Sequence, residues 1–332
     1  MNDLFETVGN ISKPMTDFYN LIDKVNEFDL LKNAKQLEVA DNLQHGSEVV
    51  EPDYVDNQIL KPKKYYRLHI GNSRYYYDNP FDIKLRASVT TVLHSQMPTS
   101  SFLLDWLFQF DNREAYSKFM QEKADYGTIM HVLFTQYLLN KEINVLELAT
   151  RTKEIIGTNI ELDLNTLKKD VICFMVWVAD YKVKPIAVEL PVMNSKFAGT
   201  IDLLCELEIN GQKHICLVDY KSGKKGFYDS HRVQLNAYKE LIKECYDINV
   251  EYVFNFAPSD FTKDLSKHTI KAPIYKFENQ SDDKYMQMWE LYSQLYLLTN
   301  QKTEVKKTEI ADVLNYDNLQ NLITTNIFKV GA

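Results

Sequence analysis

The stretch that decides the fold runs Ala198-Gly199-Thr200-Ile201-Asp202-Leu203-Leu204, turns at Asn210-Gly211, and returns as Cys216-Leu217-Val218-Asp219-Tyr220-Lys221-Ser222-Gly223. Asn-Gly is the favoured pair for the two central positions of a type I′ turn, because both positions need positive φ. Placed there, Ile209 opposes Gln212, and every cross-strand pair has residue numbers summing to 421. That register predicts Asp202 opposite Asp219. Opposed residues of antiparallel strands share a face with Cβ atoms about 5 Å apart, so two carboxylates meet where like charges repel. A bound cation relieves that repulsion. Period two adds Lys221 to the face of Asp219 and sends Ile201, Leu203, Cys216 and Val218 to the opposite, apolar face. The same register opposes Leu204 to Leu217 and Glu208 to Lys213, an apolar pair and a complementary charge pair. The acidic rung is the one violation in an otherwise sensible ladder, as expected where function overrides stability.

Two helical segments flank the hairpin. The stretch Asp125 to Leu139 carries apolar residues at helical spacing, with His131 just inside the expected helix; a neutral imidazole is a good metal ligand. The stretch His231 to Ile242 reads as a second helix, in which Gln234 and Tyr238 lie i, i+4 on one face. Each has an ordinary structural explanation by itself, a satisfied helical histidine in one case and a half-exposed helix surface in the other.

Taken in order, Gly127-x-x-x-His131, Gly199-Thr200-Ile201-Asp202, Asp219-Tyr220-Lys221-Ser222-Gly223 and Gln234-x-x-x-Tyr238 resemble the RecB-type exonuclease branch of the PD-(D/E)XK nuclease superfamily. The resemblance spans roughly residues 85 to 260, with softer matches at Ser88-Val89-Thr90-Thr91-Val92-Leu93 and Glu189-Leu190-Pro191-Val192. It implies an α/β fold of the restriction-endonuclease-like kind: a mixed central β-sheet flanked by helices, with a helical N-terminal extension or cap. It also implies that Asp202, Asp219, His131 and the backbone carbonyl of Tyr220 hold one or two Mg²⁺ or Mn²⁺ ions. Lys221 would stand beside the attacking water, Gln234 and Tyr238 would line the cleft, and Glu189 would be a direct or an outer ligand. The chemistry agrees, since hard oxygen ligands suit Mg²⁺ and Mn²⁺ and an imidazole tilts preference toward Mn²⁺.

The activity implied is metal-dependent hydrolysis of phosphodiester bonds from DNA ends, in recombination, repair or phage DNA metabolism. Linear DNA ends, single-stranded ones included, are the implied partner, together with a recombination protein in a phage or bacterial setting. An endonuclease of the same fold and a catalytically silent member serving as a nucleic-acid-binding or adaptor protein stand as alternatives. The intact acidic pair, Lys221 and Gln234-x-x-x-Tyr238 weigh against the silent one.

Composition frames this reading. With 332 residues, 45% hydrophobic and 25% charged, the chain is an ordinary soluble one that can bury a full core. No run of about 18 apolar residues occurs, and the opening Met1-Asn2-Asp3-Leu4-Phe5-Glu6 lacks the features of a secretory signal, so a cytoplasmic protein without membrane contact is expected. Cys173, Cys205, Cys216 and Cys245 show no Cys-x-x-Cys spacing, and no iron-sulfur cluster is expected. The run Ser222 to Gly226 lacks the first glycine and the metal-binding hydroxyl of a phosphate loop, so no ATP site is expected. A net charge of −8 argues against nonspecific coating of nucleic acid, where lysine and arginine must neutralise phosphates. A local basic rim suffices for a nuclease, and Lys224, Lys225 and Arg232 are its candidates. A solubilising loop accounts equally well for the two lysines.

Along the chain, residues 1–84 are expected to hold a helical segment and a β-hairpin, 85–300 the main α/β domain with a helical cap, and 301–332 a polar, helical tail. The aromatic and basic run Lys63 to Ile70 and Arg74 to Asp78 alternates like a hairpin. Its tyrosines either pack on the core or stack bases of a single strand. Residues 100–182 read as mostly helical, with breaks near Gly157 and Asp163 and with Trp106, Phe108, Phe110, Trp177 and Val178 as core. Strands of one mixed sheet are expected at 186–191, 197–207, 214–221 and 251–256, with the hairpin edge holding the metal, helices at 127–139 and 231–243 closing the cleft, and a closing helix at 281–298. The polar stretch 41–62 is the candidate linker.

Overall fold

The alternating strands of the C-terminal half and the long helical periods before them assemble into three layers in a computed structural model. It describes residues 48–70, 73–80, 83–98, 107–140, 142–223, 226–259 and 275–300. The expected N-terminal helices and the C-terminal tail lie outside those residues.

Ten strands form one mixed sheet: β1 (Glu48–Val50), β2 (Tyr54–Val55), β3 (Tyr65–Ile70), β4 (Ser73–Tyr77), β5 (Arg86–Ser88), β6 (Lys184–Met193), β7 (Phe197–Ile209), β8 (Gln212–Tyr220), β9 (Tyr252–Pro258) and β10 (Tyr275–Asn279). The order is β1-β3-β4-β5-β7-β8-β9-β10, with β6 also paired to β7, and β2 to β6. The β5–β7 and β8–β9 pairs are parallel and the others antiparallel. The 197–221 hairpin therefore lies inside the sheet, because β5, β6 and β9 all add to it.

The described residues contain six helices: α1 (Val89–Gln96), α2 (Arg113–Asn140), α3 (Val145–Ile156), α4 (Leu164–Asp180), α5 (Asp229–Tyr246) and α6 (Asp283–Thr299). Residues of α1, α5 and α6 share one core with Ile201, Leu204 and Leu217 of the sheet. Residues of α2, α3 and α4 share a second core with Leu203, Cys205, Cys216, Val218 and Tyr220. Helices α1, α2, α4 and α5 bury apolar stripes against the sheet, while α3 packs on α2 and α4, and α6 packs on α1 and α5. Within the second core the rings of Phe134 and Phe174 stack at 4.0 Å between centroids, and Trp177 is fully buried beside Phe256.

The helix punctuation is local. Gly157 ends α3 at φ 67, a left-handed conformation that glycine adopts without steric cost, and the Asp163 side chain caps α4 by accepting the Asn165 N–H. The aromatic hairpin forms as β3 and β4, and it buries Tyr65, Tyr76 and Tyr77. All four cysteines are buried.

Several expectations are corrected. Phe108 is 86% exposed and takes no part in the core, whereas Trp177 and Val178 are buried; Trp106 lies outside the described residues. The stretch 41–62 is not a linker where it is described, because β1 and β2 join the sheet and Leu60 is buried. Helix α2 begins at Arg113, so His131 sits in mid-helix and Gly127 does not interrupt it. No helix among the described residues is long and apolar enough to cross a membrane.

Candidate metal centre

The site is built where the β-ladder fails. Asn210 and Gly211 both have positive φ, 52° and 78°, as the type I′ turn requires. The ladder follows the 421 register from Ile209 and Gln212 through Leu204 and Leu217 to Leu203 and Val218, and there it stops. Asp202 and Asp219 form no rung. Instead Asp202 Oδ2 accepts the Tyr220 backbone N–H at 2.7 Å, taking a place that a strand carbonyl would otherwise fill. Near the turn, Lys213 bonds Glu206 at 2.8 Å, and its expected partner Glu208 takes Lys182 at 2.5 Å.

A second break lies on the other side of β7. The β6–β7 ladder contains Val188 with Leu203 and resumes at Leu190 with Ile201, skipping Glu189 and Asp202. Glu189 adopts φ 51°, a left-handed conformation that is strained for a residue with a Cβ and typical of functional sites. The sheet faces exchange across this break: Val188 and Leu203 belong to the core under α2–α4, while Leu190 and Ile201 belong to the core under α5 and α6. Ile201 therefore does not share the face of Leu203, contrary to the period-two reading. No residue is inserted here, since the register is the same on both sides, and the left-handed backbone at Glu189 is what re-aims the side chains.

The two re-aimed carboxylates meet His131 of α2. His131 Nδ1 is 3.8 Å from Asp202 Oδ1 and 3.9 Å from Glu189 Oε1. One ligand atom from each of His131, Glu189 and Asp202 lies within 4.8 Å of the others, a spacing that one coordinated cation would fill. Asp219, the other half of the expected pair, is held beside this cluster by donors. Lys221 Nζ approaches its two oxygens at 3.0 and 2.7 Å, Gln234 Nε2 donates to Oδ1 at 3.3 Å, and Asn255 Nδ2 donates to Oδ2 at 2.8 Å. Gln234 also donates to the Tyr238 hydroxyl at 3.3 Å, so the Gln-x-x-x-Tyr stripe of α5 reaches the acidic centre as one unit.

Gly199 has a packing role here. A Cβ at this position would stand 2.5 Å from Tyr238 Cε1 and 3.0 Å from its hydroxyl, so only glycine lets the ring lie against β7. Gly199→Ala is expected to destabilise the protein by about 1–3 kcal/mol, the usual cost of overpacking. Thermal melts check this, and the same change made in a Tyr238→Leu background should cost much less. Equal costs in the two backgrounds would reject the steric explanation.

The electrostatics favour a cation. Burial pushes the Asp202 carboxyl up, opposed by the charge of His131, and burial pushes Asp219 up, opposed by Lys221. Burial alone would lower the His131 pKa, but Asp202 and Glu189 outweigh it and raise it to about 9. Three carboxylates thus share His131 and Lys221 as their positive partners, one negative charge more than those two balance even when both are protonated. A divalent ion supported by two carboxylates and an imidazole fits that deficit and the donor set.

The remaining expected site residues divide. Tyr220, whose carbonyl the resemblance assigns to metal, closes β8 between Asp219 and Lys221 and is tied to Asp202 through its N–H. Arg232 is drawn into the protein's own contacts, donating to Asp229 at 3.0 Å, Gln280 at 3.0 Å and the Tyr285 hydroxyl at 3.3 Å. Lys224 and Lys225 lie outside the described residues. Asn255 was not foreseen, although a lone carboxamide in the apolar run Val253 to Ala257 was a visible signal.

A family model described as the PD-(D/E)XK nuclease superfamily matches residues 102–312, which include all of α2 to α6 and the strands that carry the acidic residues. No curated protein matches the chain.

Proposed function

This chain belongs to the PD-(D/E)XK nuclease superfamily, and from that premise we propose that it is a Mg²⁺- or Mn²⁺-dependent deoxyribonuclease that removes nucleotides from DNA ends, in recombination, repair or phage DNA metabolism. The observation that supports this best is the convergence of His131, Glu189 and Asp202 next to a lysine-bound Asp219. In this reading His131, Glu189, Asp202, Asp219 and the Tyr220 carbonyl hold the metal. A metal bound there would make hydroxide available near neutral pH and would offset charge on the scissile phosphate.

The chain's own groups do the rest. Lys221, anchored on Asp219, would sit beside the attacking water and stabilise negative charge on its oxygen. Gln234 keeps the Asp219 carboxylate oriented from the helix side, and its contact with Tyr238 fixes the cleft wall. The preference for ends rests on the resemblance of the Gly127-x-x-x-His131 helix and the motif order to an end-processing branch.

The test uses end-labelled linear DNA and closed-circular DNA with Mn²⁺, Mg²⁺ or EDTA, alongside an Asp219→Ala, Lys221→Ala double variant. Metal-dependent loss of linear DNA alone, abolished in the variant, is the expected result, and the label released first gives the polarity. Cleavage of circles would replace the exonuclease with an endonuclease. Retained DNA binding without cleavage of either substrate would leave a silent member of the fold.

A further inference from the structure

Strand β9 reads Tyr252-Val253-Phe254-Asn255-Phe256-Ala257-Pro258, an apolar run broken by one carboxamide. Val253 packs in the core under α5 and α6, while Phe254 and Phe256 pack in the core under α2–α4. Period two puts Asn255 on the side of Val253, where it is fully buried. A carboxamide removed from water costs about 1–3 kcal/mol unless it is hydrogen-bonded, and a β-branched apolar residue would suit a buried strand better.

Asn255 is only half satisfied. Its Nδ2 donates to Asp219 Oδ2 at 2.8 Å, while its Oδ1 has no hydrogen-bond partner among the described residues. A buried polar group tolerated in this state marks a demand other than stability. The parallel β8–β9 register makes Asp219 and Asn255 direct neighbours, so the bond crosses between adjacent strands. Gln234 donates to the other oxygen of the same carboxylate from α5, so each oxygen accepts one amide. Both are short side chains on rigid elements, unlike the long ammonium arm of Lys221.

We propose that Asn255 is a positioning residue that fixes the Asp219 carboxylate in the orientation needed for metal binding. The proposal rests on the nuclease reading of the site. Outer partners of this kind typically change metal affinity 10–100-fold when removed.

The test compares Asn255→Val with Asn255→Thr in the full chain. The two side chains have nearly the same shape, but only threonine keeps a donor, able to reach the carboxylate through a small shift or a bridging water. Mn²⁺ affinity is measured by calorimetry, and thermal stability is measured separately in EDTA. Asn255→Val is expected to bind Mn²⁺ about 10–100-fold more weakly than wild type, with Asn255→Thr recovering much of the loss. In an Asp219→Ala background, Asn255→Val should cause no further loss. Equal Mn²⁺ affinity in Val, Thr and wild-type proteins would overturn the proposal, as would a full further loss in the Asp219→Ala background. Loss of affinity that merely follows stability would assign Asn255 to folding instead. A wild-type protein that binds no Mn²⁺ would remove the metal-site reading itself, a result distinct from these.

Discussion

Asp202→Asn is expected to lower metal-dependent cleavage by at least about 10³-fold and to weaken Mn²⁺ binding with it, because a directly coordinating group should matter more than the outer partners whose loss costs about 10–100-fold. The substitution is nearly isosteric, and the amide oxygen can still accept the Tyr220 N–H that Asp202 now accepts at 2.7 Å. The local backbone is therefore preserved while the charge is lost. Lys221→Ala separates the two effects. Its ammonium lies 2.7 Å from Asp219 and competes with a cation for that carboxylate, so its removal should leave Mn²⁺ affinity equal or tighter while cleavage falls about 10²–10³-fold. Calorimetry and single-turnover cleavage on the same preparations check both. If Asp202→Asn keeps full Mn²⁺ affinity, the cluster at His131 is not the ligand set.

The second large effect concerns pH. In the metal-free protein the carboxylates of Asp202 and Glu189 raise the His131 pKa from 6.5 to about 9 against the opposing effect of burial. A pKa raised in the folded state contributes stability that is fully present below the unfolded value and is lost as pH rises through the folded one. The window is therefore pH 6.5 to about 9, and the loss across it is at most about 3 kcal/mol. The Asp202 and Asp219 carboxyls, both pushed up by burial, act with the same sign at lower pH.

Metal ligation needs the neutral imidazole and so displaces its proton. Mn²⁺ affinity should rise about tenfold per pH unit below the His131 pKa, with about one proton released per ion. Melting temperatures in EDTA should fall from pH 6.5 to 9, and saturating Mn²⁺ should remove or reverse that trend. Calorimetric enthalpies in two buffers of different ionisation heat count the proton. A His131→Gln variant that keeps the same pH slope would assign the proton to another group.

Much of the centre was legible in the sequence because hairpin register is local arithmetic. Asn210-Gly211 fixed the turn, and the turn fixed every pair from Ile209 with Gln212 to Leu203 with Val218. The Asp219 and Lys221 contact followed from period two, and Gln234 and Tyr238 followed from helical spacing. The breaks at Gly157 and Asp163 were legible for the same reason, since caps depend on the residue at the boundary.

What lay beyond local rules came from long-range packing. The failure of the ladder at Asp202 depends on Glu189 taking a left-handed conformation in a strand that pairs from outside the hairpin. No periodicity announces such a residue, and the period-two assignment of Ile201 failed at that point. Phe108 looked like core by composition, yet the tertiary structure leaves it exposed. The short strands β1 and β2 were invisible in a polar stretch because their partners, β3 and β6, supply the hydrogen bonds.

The sequence by itself thus determined the chemistry available: two aspartates, a lysine, a histidine and the Gln-x-x-x-Tyr stripe, each at a spacing set by turn or helix geometry. Only the tertiary structure decided how they are grouped. It placed His131 with Glu189 and Asp202, and it gave Asp219 to Lys221, Gln234 and Asn255, because convergence of α2, β6, β9 and α5 on one broken ladder is a property of packing between distant segments and not of any segment alone.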